Sequence, residues 1–192
     1  KLVSAYNALK GQVDDASLLT ALTAEIAAYK QANIVLPQEG KTYLLVSAST
    51  YYKAKYAGST AYCDGQNIRF HYTPQVEPEE LWQFKAEGNA FRLTNVLKNQ
   101  QLVLSTTNGS NATLAEQGTM LTIALPTKAS GKYTYVPGAL TLGTSATALL
   151  SADCTSYVKT GNNGAVCYPG TWFIVEVTDF TAQLQGLVKK AN

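Results

Sequence analysis

The sequence predicts a mainly β protein, three similar units of four strands, preceded by an α-helical hairpin and followed by a short helix. Three observations predict it. Tyr43, Phe91 and Leu140 stand in similar opening strands, 48 and 49 residues apart, and a fixed period of this length marks a repeated architecture. Each unit closes on an aromatic strand: Leu81-Trp82-Gln83-Phe84, Tyr133-Thr134-Tyr135-Val136 and Thr171-Trp172-Phe173-Ile174-Val175. The polar surface comes from hydroxyls, with 22 Thr and 12 Tyr against only 15% charged residues. Thr and Tyr fit a pleated, half-buried surface.

Residues 1–38 read as the hairpin and spacer. Leu2, Tyr6 and Leu9 recur at helical spacing, and Leu18, Leu19, Leu22, Ile26 and Tyr29 continue an apolar stripe. The first helix ends near Gly11. Asp14, Asp15 or Ser17 opens the second, because their oxygens accept from the free N–H groups of a first turn, and Asn33 and Pro37 stop it. Residues 39–179 form the β domain. Short apolar or alternating runs between Gly, Asn, Ser and Pro predict strands at Thr42–Ser47, Tyr52–Tyr56, Ile68–Tyr72, Leu81–Ala86, Ala90–Asn95 and Gln101–Ser105. Others are expected at Thr119–Leu125, Tyr133–Val136, Leu140–Gly143, Ala148–Ala152 and Thr171–Val177, with a twelfth near Tyr157–Thr160 or Ala165–Tyr168. Residues 180–192 carry a C-terminal helix, with Phe180, Leu184, Leu187 and Val188 on one face and Lys189 and Lys190 at the negative end of its dipole.

Composition excludes several functions. Fifteen Lys and Arg against 13 Asp and Glu leave a net charge of +2, too weak a field to mark a nucleic-acid protein. One His and three Cys supply too few soft donors for a structural zinc site, and no cofactor is expected. No apolar run is long enough to cross a membrane. His71, the one imidazole, stands in the alternating run Ile68-Arg69-Phe70-His71-Tyr72, where a solvent-facing strand position is the simpler account than a nucleophile's base. Glu77, Glu79 and Glu80 share one Pro-containing loop and read as a solvated surface rather than a glycosidase pair. The chain itself is therefore expected not to be an enzyme.

The repeat length and the succession of an opening strand and an aromatic closing strand, over about Glu39 to Asp179, resemble a β-trefoil, particularly the ricin-B-like carbohydrate-binding modules. That group often carries a Gln-any-Trp signature, whereas the corresponding strands here read Leu81-Trp82-Gln83, Thr134-Tyr135-Val136 and Thr171-Trp172-Phe173. The helices flanking the repeat look like the spacer-and-module organisation of secreted bacterial glycan-processing proteins. The resemblance implies a non-catalytic glycan-binding accessory module, secreted, periplasmic or surface-displayed, whose partners are a glycan and the other domains of a parent polypeptide. A protein-interaction or protease-inhibitor-like trefoil, presenting the loop Thr73–Glu80, or a purely structural spacer, is the alternative.

Sugar binding needs flat aromatic faces together with amides or carboxylates for hydroxyls. The first unit offers the densest such group, Tyr51, Tyr52, Tyr56 and Tyr62 with Asp64, Gln66 and Asn67; the third offers Asp153, Tyr157, Asn162, Asn163 and Tyr168. The second has only Asn108, Asn111 and Gln117 and is expected to be inactive. Trp82 and Trp172 occupy matching places and are expected in the core, each indole N–H needing one acceptor. Cys154 and Cys167, 13 residues apart, could bridge facing strands in an oxidising compartment, leaving Cys63 over.

Overall fold

The computed structural model describes residues 16–32, 34–49, 56–126, 136–152, 156–162 and 170–177. Two compact units divide the chain after Val35. In the first, one helix, α1 (Ala16–Ala32), is described. Thr20 and Thr23 donate their hydroxyls back to Ala16 O and Leu19 O, both at 2.8 Å. Leu22 and Ile26 are half-buried while Leu19 and Tyr29 are exposed. The expected partner helix near Leu2 to Gly11 and the expected C-terminal helix at 180–190 lie outside the described residues.

The second unit is built of strands, twelve among the described residues. They fall in chain order into three sets of four: β1 (Thr42–Ser47), β2 (Thr60–Asp64), β3 (Asn67–His71) and β4 (Leu81–Glu87); β5 (Ala90–Asn95), β6 (Gln100–Val103), β7 (Thr113–Ala115) and β8 (Thr122–Ala124); and β9 (Leu140–Gly143), β10 (Thr147–Leu149), β11 (Thr160–Asn162) and β12 (Thr171–Glu176). The first and fourth strands of each set close a six-stranded antiparallel barrel. β1 pairs β12 and β4, β4 pairs β5, β5 meets β8 at the Phe91–Leu121 bridge, and β9 pairs β8 and β12. Closure removes the free edges that an open sheet would expose. The second and third strands form the hairpins β2–β3, β6–β7 and β10–β11.

The repeat is visible in the register. Tyr43 faces Trp82, Phe91 faces Leu121 and Leu140 faces Trp172, each joining the first to the fourth strand of its own unit. Two residues on, Leu45, Leu93 and Leu142 are fully buried. Both tryptophans are in the core, as their matching places predict: Trp82 Nε1 donates to Ala61 O at 2.9 Å and Trp172 Nε1 to Leu149 O at 3.0 Å.

Among the described residues the second unit closes on the short strand β8 and on Leu121, the bridge residue just before it; of the expected closing strand Tyr133–Val136, the first three residues lie outside the described residues. Among the described residues the first unit's second strand is β2; of the expected strand Tyr52–Tyr56 only Tyr56 is described, and it begins a turn and is buried, its ring 4.8 Å from that of Phe70. The place two residues before each closing core residue holds Glu80, Thr119 and Gly170, so the first unit carries Glu-any-Trp where the resemblance leads one to expect glutamine.

Candidate functional site at the hairpin cap

The three hairpin regions meet around a pseudo-threefold axis, and backbone hydrogen bonds trace it. Ile68 N–H donates to Ala112 O at 3.1 Å, Ala112 N–H to Val158 O at 2.9 Å, and Val158 N–H to Ile68 O at 2.9 Å. A second ring surrounds the first: Phe70 N–H reaches Ser156 O, Leu114 N–H reaches Gln66 O and Thr160 N–H reaches Ser110 O, all at 2.9 Å. Ile68, Ala112 and Val158 are buried. Because side chains alternate along extended backbone, the residues on either side of each face away from the barrel. These are Asn67 and Arg69, Asn111 and Thr113, and Tyr157 and Lys159, all half-buried. They meet across units as Asn67–Thr113, Arg69–Tyr157 and Asn111–Lys159.

Arg69 is the hub where the first and third units join. On β3 it opposes Tyr62 of β2. Its Nη1 donates to Asp64 Oδ2 at 2.7 Å, its Nη2 donates to Ser156 Oγ at 2.9 Å, and its Cζ lies 5.0 Å from the centre of the Tyr157 ring. The two-residue turn Gly65–Gln66 that returns β2 to β3 needs a positive φ, and Gly65 takes +64°. Asn111 Nδ2 donates to Asn67 Oδ1 at 3.2 Å, and Lys159 Nζ lies 6.0 Å from the Tyr157 ring centre.

A hydrogen-bond network around a buried carboxylate lies beside this face. Glu80 has no solvent exposure, and its Oε1 accepts from Thr60 Oγ1 at 2.6 Å and faces His71 Nδ1 at 2.7 Å. Its Oε2 accepts from the backbone N–H of Gln75 at 2.8 Å and of Val76 at 2.6 Å. Burial pushes this carboxyl up, but the Thr60 hydroxyl, the Gln75 N–H, His71 and the Val76 N–H outweigh it and hold it below its ordinary value. The expectation of a solvated Glu77–Glu80 cluster therefore fails at Glu80. His71 in turn lies under Tyr62, ring centres 5.4 Å apart.

Of the sequence-predicted site residues, the fold brings together Tyr62, Asp64, Asn67 and Tyr157. Tyr56 stands apart, inside the core. Tyr51, Tyr52, Asp153 and Tyr168 lie outside the described residues, as do Cys154 and Cys167; Cys63 is buried and free. Sequence reasoning missed Arg69, Lys159, His71 and Glu80 as members of this region. Arg69 and Lys159 occupy the same place in the first and third units, one residue after Ile68 and Val158, but that equivalence appears only once the axial hydrogen bonds fix the register. Among the described residues no three His, Cys, Asp or Glu side chains converge as metal ligands, and no helix is long and apolar enough to cross a membrane.

No protein-family model matches the sequence, and no curated protein matches it. Solved structures do share the fold. The ricin B-like lectin of Macrolepiota procera, determined in complex with lactose, superposes with a TM-score of 0.57 at 17% identity, over 74% of this chain and 100% of that one. The BEL β-trefoil gives 0.54 at 11% identity, over 74% and 97%. A Clostridium perfringens endo-β-galactosidase that releases GlcNAcα1-4Gal gives 0.54 at 10% identity, over 72% of this chain and 33% of the enzyme. This chain thus spans about a third of that enzyme's length. With the closed barrel and the axial hydrogen-bond rings, these likenesses define the fold as a β-trefoil.

Proposed function

We propose that this chain is a non-catalytic carbohydrate-binding module, and that the outward face of its hairpin cap, where the first and third units meet, receives the glycan. One observation carries the reading: Tyr62 and Tyr157, far apart in sequence, are brought to opposite sides of one arginine, with Asp64 and Asn67 at its rim. Aromatic ring faces meet the C–H side of a sugar while carboxylate and amide groups serve its hydroxyls. The likeness to a lectin held with lactose supports the same reading, and the match to a third of an endo-β-galactosidase is in keeping with an accessory place within a larger protein.

A glycan array followed by calorimetric titration tests it. Tyr62→Ala with Tyr157→Ala should lower affinity about tenfold or more, while unfolding free energy falls by only about 1 kcal/mol, since both rings are half-buried. Unchanged affinity in that double variant would remove the cap face from consideration. A second reading, an inhibitor-like or protein-binding trefoil, is favoured by the loop from Tyr72 to Pro78, exposed throughout yet tied beneath to Glu80 at Gln75 and Val76. It predicts tight binding to a protease or other protein and silence on the array.

A further inference from the structure

The six outward side chains around the axis are not equivalent in charge. At the place one residue beyond the central ring, the first unit has Arg69, the second Thr113 and the third Lys159. Both Nη atoms of Arg69 are committed, while its Nε is buried without a hydrogen-bond partner. Its charge is balanced by Asp64 at 2.7 Å and its second Nη is given to Ser156, so it acts as a fixed arm against Tyr157. His71 and the buried Glu80 beside the face close on each other. Lys159 makes no ion pair among the described residues, and its ammonium lies over the same Tyr157 ring that Arg69 covers. The groups facing it across the strand contact are the neutral Asn111 and, through Asn111, Asn67.

We infer that the cap face selects glycans bearing an anionic substituent, a carboxylate or a sulfate ester, and that Lys159 is the group that meets it. The inference rests on the carbohydrate-binding reading above and names its ligand class. A neutral hydroxyl would leave unused the charge of Lys159, which no ion pair balances among the described residues. An anion would gain a charge-assisted hydrogen bond, which is about twice as strong as a neutral one, at a half-buried site where water screens less than in bulk. Asn67, whose Oδ1 already accepts from Asn111, keeps its amide hydrogens for the sugar's own oxygens. Arg69, held at both Nη atoms, sets the position of the Tyr157 ring beside Lys159 rather than competing for the anion.

The test uses the full chain and oligosaccharides in matched sets, among them lactose, 3′-sialyllactose and 3′-sulfolactose, on an array and then by calorimetry, with inorganic sulfate as a separate arm. The acidic members should bind about tenfold more tightly than their neutral counterparts, and the difference should shrink as salt is raised. Lys159→Met should bring the members of each set within about twofold of one another, and Lys159→Arg should restore the preference. Equal affinity for neutral and acidic members in the native chain would overturn the inference while leaving carbohydrate binding intact. So would a preference that survives Lys159→Met, or inorganic sulfate binding as tightly as the sulfated sugar. Failure of every glycan to bind would sink the carbohydrate reading together with it.

Discussion

A carboxylate with no access to water needs donors on both oxygens, and Glu80 has them from a strand hydroxyl, a strand imidazole and two consecutive backbone amides of a loop. One of those amides belongs to Val76, whose φ of 59° is unusual for a β-branched residue and costs on the order of 1–3 kcal/mol. The carboxylate holds the loop in that conformation. Glu80→Gln replaces an acceptor with an amide that opposes other donors, and should cost about 2–4 kcal/mol in denaturant unfolding. The pH dependence has a definite sign. Since the folded carboxyl lies below the unfolded value near 4.5, its contribution is complete above that pH and is lost as acid takes the solution through the lower folded value. Unfolding curves collected between about pH 6 and pH 3 should show the native chain losing stability on acidification more steeply than Glu80→Gln. Parallel losses in the two proteins would mean that Glu80 is not the group responsible.

Among the elements, the opening strands were the easiest to read, because Tyr43, Phe91 and Leu140 are apolar residues of three strands with the same alternation and the same place in the barrel. The hairpin strands were harder. β7 is three residues in an Asn- and Thr-rich stretch, and its pairing with β3 and β6 comes from the axis rather than from any local preference. The closing role of β8 is hard to read because the bridge residue before it is Leu121, not an aromatic. Glycine also marks the hairpins. Gly143 on β9 faces Ala148 on β10, and a Cβ there would fall on Thr147 O and within 2.9 Å of Ala148 Cα. Backbone cannot swing aside as a flexible side chain can. Gly143→Ala should therefore destabilise the chain by about 1–3 kcal/mol, read as a lower midpoint in chemical denaturation with an unchanged slope; a wild-type midpoint would show that β9 and β10 lie farther apart.

At the scale of the molecule, the candidate site does not belong to any one repeat. Tyr62, Asp64 and Asn67 are legible in sequence as a cluster of sugar-binding residue types, but Tyr157 joins them only because Arg69 on β3 bridges to the third unit. The same closure decides which tyrosines are spent on the interior: Tyr56, of the same residue type and in the same stretch, packs on Phe70 and is lost to the surface. Periodicity could supply the repeat, since it records local alternation, while the charge pattern of the cap depends on three segments meeting at one axis. The most direct measurement is an amide chemical-shift titration of the isotopically labelled chain with a glycan found to bind it. The account predicts that Tyr62, Asn67, Arg69, Asn111, Tyr157 and Lys159 shift together with a single dissociation constant. Shifts confined to a part of the barrel remote from the axis, with these six unmoved, would contradict it.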